Sequence, residues 1–79
     1  MGFYVQIQKK SSQNGKSKYV FYNEKGSGEF SINESDGKID YYQKMPNDSS
    51  NIAFSRAAVK VLKYWKTNGK LPDREVWAS

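Results

Sequence analysis

Between Pro46 and Pro72 the chain reads PNDSSNIAFSRAAVKVLKYWKTNGKLP, the one stretch with convincing helical spacing, and it is one-sided. At about 100° per residue, Phe54, Ala57, Ala58, Val61, Leu62 and Trp65 fall on one side and Arg56, Lys60, Lys63 and Lys66 on the other. Asp48, Ser49 and Ser50 each offer an oxygen to the unpaired N–H groups of a first turn. Asn68-Gly69 tolerates positive φ, Leu71 can fold back on the last turn and Pro72 stops propagation. Lys66 and Lys70 suit the negative end of the helix dipole. A helix over residues 49–68 is predicted, made to lie on an apolar surface that the preceding residues must supply.

Those residues read as short strands. Phe3, Val5 and Ile7 alternate with Tyr4, Gln6 and Gln8, the period of a strand with one buried face. Strands are predicted at residues 2–9, 18–23, 28–34 and 38–44, with turn signals at Asn14-Gly15, Lys25 to Gly28 and Asp36-Gly37. A two-residue turn at Asp36-Gly37 sets Ile32 opposite Tyr41, and a Lys25-Gly26 turn sets Phe21 opposite Phe30 and Tyr19 opposite Ile32. Tyr19, Phe21, Phe30, Ile32, Ile39 and Tyr41 then share the face under the helix. A tight Asn14-Gly15 turn would set Ile7 opposite Tyr22, on the wrong face, because a one-residue shift flips every side chain. An odd-numbered loop or a bulge is therefore expected between Lys9 and Lys18. The expected fold is α+β: a four-stranded antiparallel meander covered on one face by a single C-terminal helix, residues 1–79 forming one compact domain. Trp77, with Leu71 and Val76, is expected to close one edge of the core.

Seventy-nine residues suffice for one modest core, helped by twelve aromatic residues. The chain has no cysteine, which suits a reducing compartment, and its start, MGFYVQIQKK, lacks the pattern of a signal peptide. A cytoplasmic protein is expected, with no membrane span and no lipid anchor, Gln6 standing where a myristoylation pattern needs Ser or Thr. Asn33-Glu34-Ser35 and Asn47-Asp48-Ser49 then match a glycosylation triplet by chance. The net charge of +5 is uneven. Residues 1–22 and 49–70 carry lysines and an arginine without any acid, while residues 23–48 hold six acids against three lysines. Such a chain permits anionic partners without demanding them.

The absence of histidine and cysteine removes the usual general base, thiol nucleophile and zinc ligands. Neither an enzyme nor a cofactor is expected. Ser35 to Asp40 faintly echoes a calcium loop, but Ile32 and Gln43 occupy ligand positions, so a hairpin turn is the better reading and no metal is expected. The open sheet face is the sharpest feature. Tyr4, Gln6, Gln8, Tyr22, Asn33 and Tyr42, with Val20, Ser31 and Asp40, would form a flat platform of rings, amides and hydroxyls. Such a face fits a protein partner or a homodimer, where tyrosine is enriched. It also fits single-stranded nucleic acid, bases stacked on tyrosines and phosphates met by Lys10, Lys16 and Lys18 of the first hairpin. A plain solvated sheet explains the same residues, since tyrosine favours strands. Arg56, Lys60 and Lys63 form a secondary basic helix face, or simply a solvated one, with Val59 exposed among them.

The C-terminal quarter adds one resemblance. Ala57, Ala58, Leu62 and Tyr64 followed by Gly69, Leu71, Pro72 and Trp77 are similar to the ending of immunity proteins that neutralise deaminase-type polymorphic toxins. The resemblance implies a helix, then Gly, Pro and Trp, closing a strand-rich domain, and a protein as partner. It carries over no functional residue. The combined expectation is a non-catalytic binding module that makes a protein or self-association contact, possible forms including an immunity-type inhibitor, with single-stranded nucleic acid as the alternative ligand.

Overall fold

The computed structural model describes residues 4–46 and 48–78, except for the side chain of Ser49. Five strands and one helix follow in order: β1 (Tyr4–Gln13), β2 (Lys16–Asn23), β3 (Gly26–Asn33), β4 (Ile39–Gln43), a 3-10 turn at Ser49–Asn51, α1 (Ile52–Asn68) and β5 (Arg74–Ala78). The strands form one antiparallel sheet in the order β4-β3-β2-β1-β5. The inward position expected for Phe3 lies outside the described residues.

The sheet has five strands rather than the expected four. Arg74–Ala78 pairs in regular register along β1, from Tyr4 opposite Ala78 to Gln8 opposite Arg74. The connection after the helix steers it there. Tyr19 donates its hydroxyl hydrogen to the Pro72 carbonyl, and the Lys9 N–H donates to the Asp73 carbonyl at 2.9 Å. Lys9 also meets the Asp73 carboxylate at 3.5 Å. Val76 therefore turns to the open face instead of closing the core, while Leu71 is buried and Trp77 packs against the core cluster.

The first hairpin resolves the conflict between its turn and its pattern. Asn14 (φ 54) and Gly15 (φ 75) make a tight turn, both residues in the left-handed region that two-residue hairpin turns require. Gln13 pairs with Lys16, so both strands run longer than expected. The register then shifts between Lys9 and Ser11, which places a bulge at Lys10. Beyond it Ile7 lies opposite Phe21, both on the core face.

The next two registers differ from expectation by two residues. Asn23 pairs with Gly26, so Tyr19 opposes Phe30 and Phe21 opposes Gly28. Ile32 opposes Ile39 and Phe30 opposes Tyr41, across a four-residue loop closed by Asn33 and Lys38. The local reasons are side-chain turns: Lys25 N–H donates to Asn23 Oδ1 at 2.8 Å and Lys38 N–H to Asp36 Oδ1 at 2.9 Å. A shift of two keeps every side chain on its face, so the expected core survives intact.

Val5, Ile7, Tyr19, Phe21, Phe30 and Ile32 are all at most 1% exposed. Each buried side chain of this size is worth about 1.5–3 kcal/mol in removal from water. The helix meets them with Ala53, Ala57, Ala58 and Val61, small residues that allow close approach. Phe54 stacks on Tyr41 at 3.8 Å between centroids and meets Phe30 edge-on at 5.8 Å. Gly28 is required opposite Phe21: a Cβ there would lie 2.6 Å from the Phe21 ring and 2.8 Å from the Gln43 carbonyl oxygen. The helix begins at Ile52, later than expected, because Ser50 and Asn51 take left-handed backbone. Asp48 caps it, accepting from the Ala53 N–H at 2.8 Å and the Phe54 N–H at 3.2 Å. Gly69 ends it at φ 73, its N–H donating to the Trp65 carbonyl at 2.8 Å.

Candidate binding face on the open sheet

The sheet face away from the helix is assembled in rows by the strand register. One row runs Ser27, Tyr22, Gln6, Val76, and beside it Tyr4 opposes Ala78. A middle row runs Glu29, Val20, Gln8, Arg74. The row nearest the first hairpin's tip runs Asp40, Ser31, Lys18, Ser11. Tyr42 projects from β4 where its register with β3 is interrupted.

The tyrosines do not form one platform. A strand spacing of about 4.8 Å and a rise of about 3.4 Å per residue put Tyr42 roughly 20 Å from Tyr4. The face instead has two ends of different chemistry. At one end Tyr4 is 50% and Val76 39% exposed, close to Tyr22 and Gln6, with no charged residue in those rows. At the other end a groove of about 440 Å3 runs between the first hairpin and β4, with Lys16, Lys18, Asp40 and Tyr42 on its walls and Ser11 and Asn14 at the hairpin side.

Charges in the polar half are largely matched. Glu29 accepts from the Lys10 ammonium at 3.2 Å and from the Tyr42 hydroxyl at 3.0 Å, which leaves its side chain only 17% exposed. Burial, then this hydrogen bond and the Glu29 charge, raise the Tyr42 hydroxyl above the usual tyrosine value. Lys16 lies 3.9 Å from Asp40. Lys18 has its ammonium 5.9 Å from the centroid of the Tyr42 ring, at the outer limit of a cation–π contact.

Of the expected binding residues, Tyr4, Gln6, Gln8, Tyr22 and Tyr42 all lie on this face. Asn33 lies on the same face by register, opposite Lys16 at the end of β3, with its side-chain oxygen accepting from the Ser35 N–H at 2.9 Å and the Ser35 hydroxyl at 2.7 Å. Of the expected phosphate contacts, Lys10 is held by Glu29, whereas Lys16 and Lys18 line the groove. Arg74 and Val76 join the face only because β5 exists. Their signal in the sequence was the short alternation of Arg74 and Val76 against Glu75 and Trp77. The helix stripe is also changed. Arg56 does not point away from the sheet but lies over the Trp77 ring at 5.0 Å, on the flank beside β5. Lys60 and Lys63 border a shallow hollow with Glu75, and Val59 is 51% exposed.

Among the described residues, no group of three or more His, Cys, Asp or Glu side chains converges to hold a metal ion, and no helix is long and apolar enough to cross a membrane. Compared with models of protein families, with curated proteins and with solved structures, the chain has no match.

Proposed function

We propose that the chain is a small, non-catalytic binding module of the cytoplasm that acts through a protein contact or self-association on the open sheet face. The observation that carries this reading is the tyrosine-rich end of that face. Tyr4 and Val76 stand exposed beside Tyr22, and the paired positions around them, Gln6, Ser27 and Ala78, carry no charge. Tyrosine rings and an aliphatic neighbour are what the centre of a protein interface selects, and covering them returns about 25 cal/mol per Å2 of apolar area. An immunity-type inhibitor, in keeping with the helix–Gly–Pro–Trp ending, is one form of such a contact and a homodimer is another.

The test is a photo-crosslinking residue placed at Val76, with a second placed at the equally exposed Val59 on the helix. One discrete adduct from position 76, lost when Tyr4 and Tyr22 are changed to serine, is the expected result. Crosslinking from position 59 but not from position 76 would sink the reading.

A second reading, single-stranded nucleic acid, is favoured by the groove at the opposite end, where Lys16 and Lys18 stand beside an exposed Tyr42. Binding of this kind weakens steeply with added salt, while a largely apolar protein contact does not.

A further inference from the structure

We propose that the groove between the first hairpin and β4 is a subsite for one unpaired nucleotide whose base carries an exocyclic amino group. This rests on the second reading above and says how that site would select its ligand. The volume of about 440 Å3 falls within the ~300–1,000 Å3 range of small-ligand sites.

Three kinds of group meet there. Tyr42 is 50% exposed and its hydroxyl is tied to Glu29 at 3.0 Å, so the ring is held in place as a stacking surface. Lys18 rests over that ring at 5.9 Å, a contact weak enough for a base to displace. The displaced ammonium then meets the phosphate with Lys16, and the hydroxyl of Ser11 and amide of Asn14 supply neutral donors nearby. Asp40 is the third group. Its side chain is 70% exposed and only loosely paired with Lys16 at 3.9 Å. A carboxylate at a base edge accepts from an amino group, such as N4 of cytosine, and repels the carbonyl oxygen that thymine or uracil presents instead. A π-face, a phosphate and an amino donor occur together in a nucleotide and not in an acidic peptide, which has no base to stack on Tyr42.

The experiment is an amide-shift titration of isotope-labelled protein with the single-stranded hexamers (dC)6, (dA)6 and (dT)6 and with a hexaglutamate peptide, at low and moderate salt. Saturable shifts at Ser11, Lys16, Lys18, Asp40 and Tyr42 are expected with (dC)6 and (dA)6, and binding about fivefold weaker with (dT)6, the loss of one hydrogen bond. Asp40→Asn should level the three hexamers, because an amide both donates and accepts. Lys18→Ala should reduce the slope of log affinity against log salt by about 0.7. Equal affinity for the three hexamers would overturn the base selection. Shifts at Tyr4 and Tyr22 with a silent groove would overturn the subsite and leave the nucleic-acid reading standing. No shift with any hexamer, shifts confined to Arg56, Lys60 and Lys63, or the same groove shifts with hexaglutamate would overturn both.

Discussion

On the helix side of the sheet, Tyr19, Phe21, Phe30 and Ile32 are fully buried, and the three rings and Phe54 form a chain of contacts at 5.6–6.2 Å. One residue along the same strands, Lys18, Val20, Tyr22, Glu29 and Ser31 face the other way, among pairs such as Lys10 with Glu29 and Lys16 with Asp40. The strands are common to both faces, so backbone pairing cannot account for the difference between them. It lies in what covers each face. The covered face concentrates apolar burial, while the open face holds ion pairs that contribute at most about 1 kcal/mol each when solvated. The covered side is therefore where stability resides, and the open side is free to be changed for function.

Substitutions can break or sharpen that contrast. The largest effect is expected for Phe21→Ala, which empties the centre of the aromatic cluster and should cost about 3–5 kcal/mol in a urea titration. An equal loss from Tyr22→Ala, its neighbour on the other face, would refute the division. Next comes Gly28→Ala. Its new Cβ would press on Phe21 and on the backbone of Gln43 and Met45, so about 1–3 kcal/mol should be lost although only one methyl group is added.

Tyr19→Phe tests a polar group that the covered face buries completely. Burial, with the charges of Asp73 and Glu34, pushes the Tyr19 hydroxyl well above the ordinary tyrosine value. An unfolded tyrosine ionises near about 10, so above that pH the unfolded state has lost a proton that the native state still holds. Stability is then full below about pH 10 and falls as pH rises toward the native value. Tyr19→Phe should flatten this alkaline fall, measured as the denaturation midpoint between about pH 8 and 11. It should also lower stability at neutral pH, by about 1–3 kcal/mol, since the buried Pro72 carbonyl loses its donor.

The smallest effect belongs to the open face. Glu29→Gln should change stability by less than about 1 kcal/mol. It should also bring the Tyr42 ionisation down toward the ordinary value, part of the rise remaining because burial is its larger cause. A spectrophotometric titration referenced to a Tyr42→Phe variant reads this directly, and an unmoved Tyr42 would show that Glu29 does not govern that end of the face.

How much of this was written in the sequence follows from the range of each interaction. The apolar face of the helix, its Gly69 end and the inward positions of β1 to β4 among the described residues depend on neighbours within a few residues and are read correctly from the chain alone. So is the need for an odd-numbered loop or a bulge between Lys9 and Lys18, because the Asn14-Gly15 turn and the inward Ile7 and Phe21 make incompatible demands; the structure takes the bulge, at Lys10. Face assignment survived a two-residue error in both later registers for the same reason: side-chain direction repeats every two residues, so it constrains parity and leaves the exact pairing to turn hydrogen bonds at Asn23, Asn33 and Asp36. The tertiary structure alone decided the rest. Arg74–Ala78 carries only a short alternation led by two charged residues, and it becomes a strand because Tyr19, Lys9 and the buried Leu71 bring the chain back to the free edge of β1. That docking put Val76 and Arg74 on the open face. The pairing of Lys10 with Glu29 and the separation of Tyr42 from Tyr4 likewise depend on residues far apart in the chain, and such distances are set by the packing of the whole sheet.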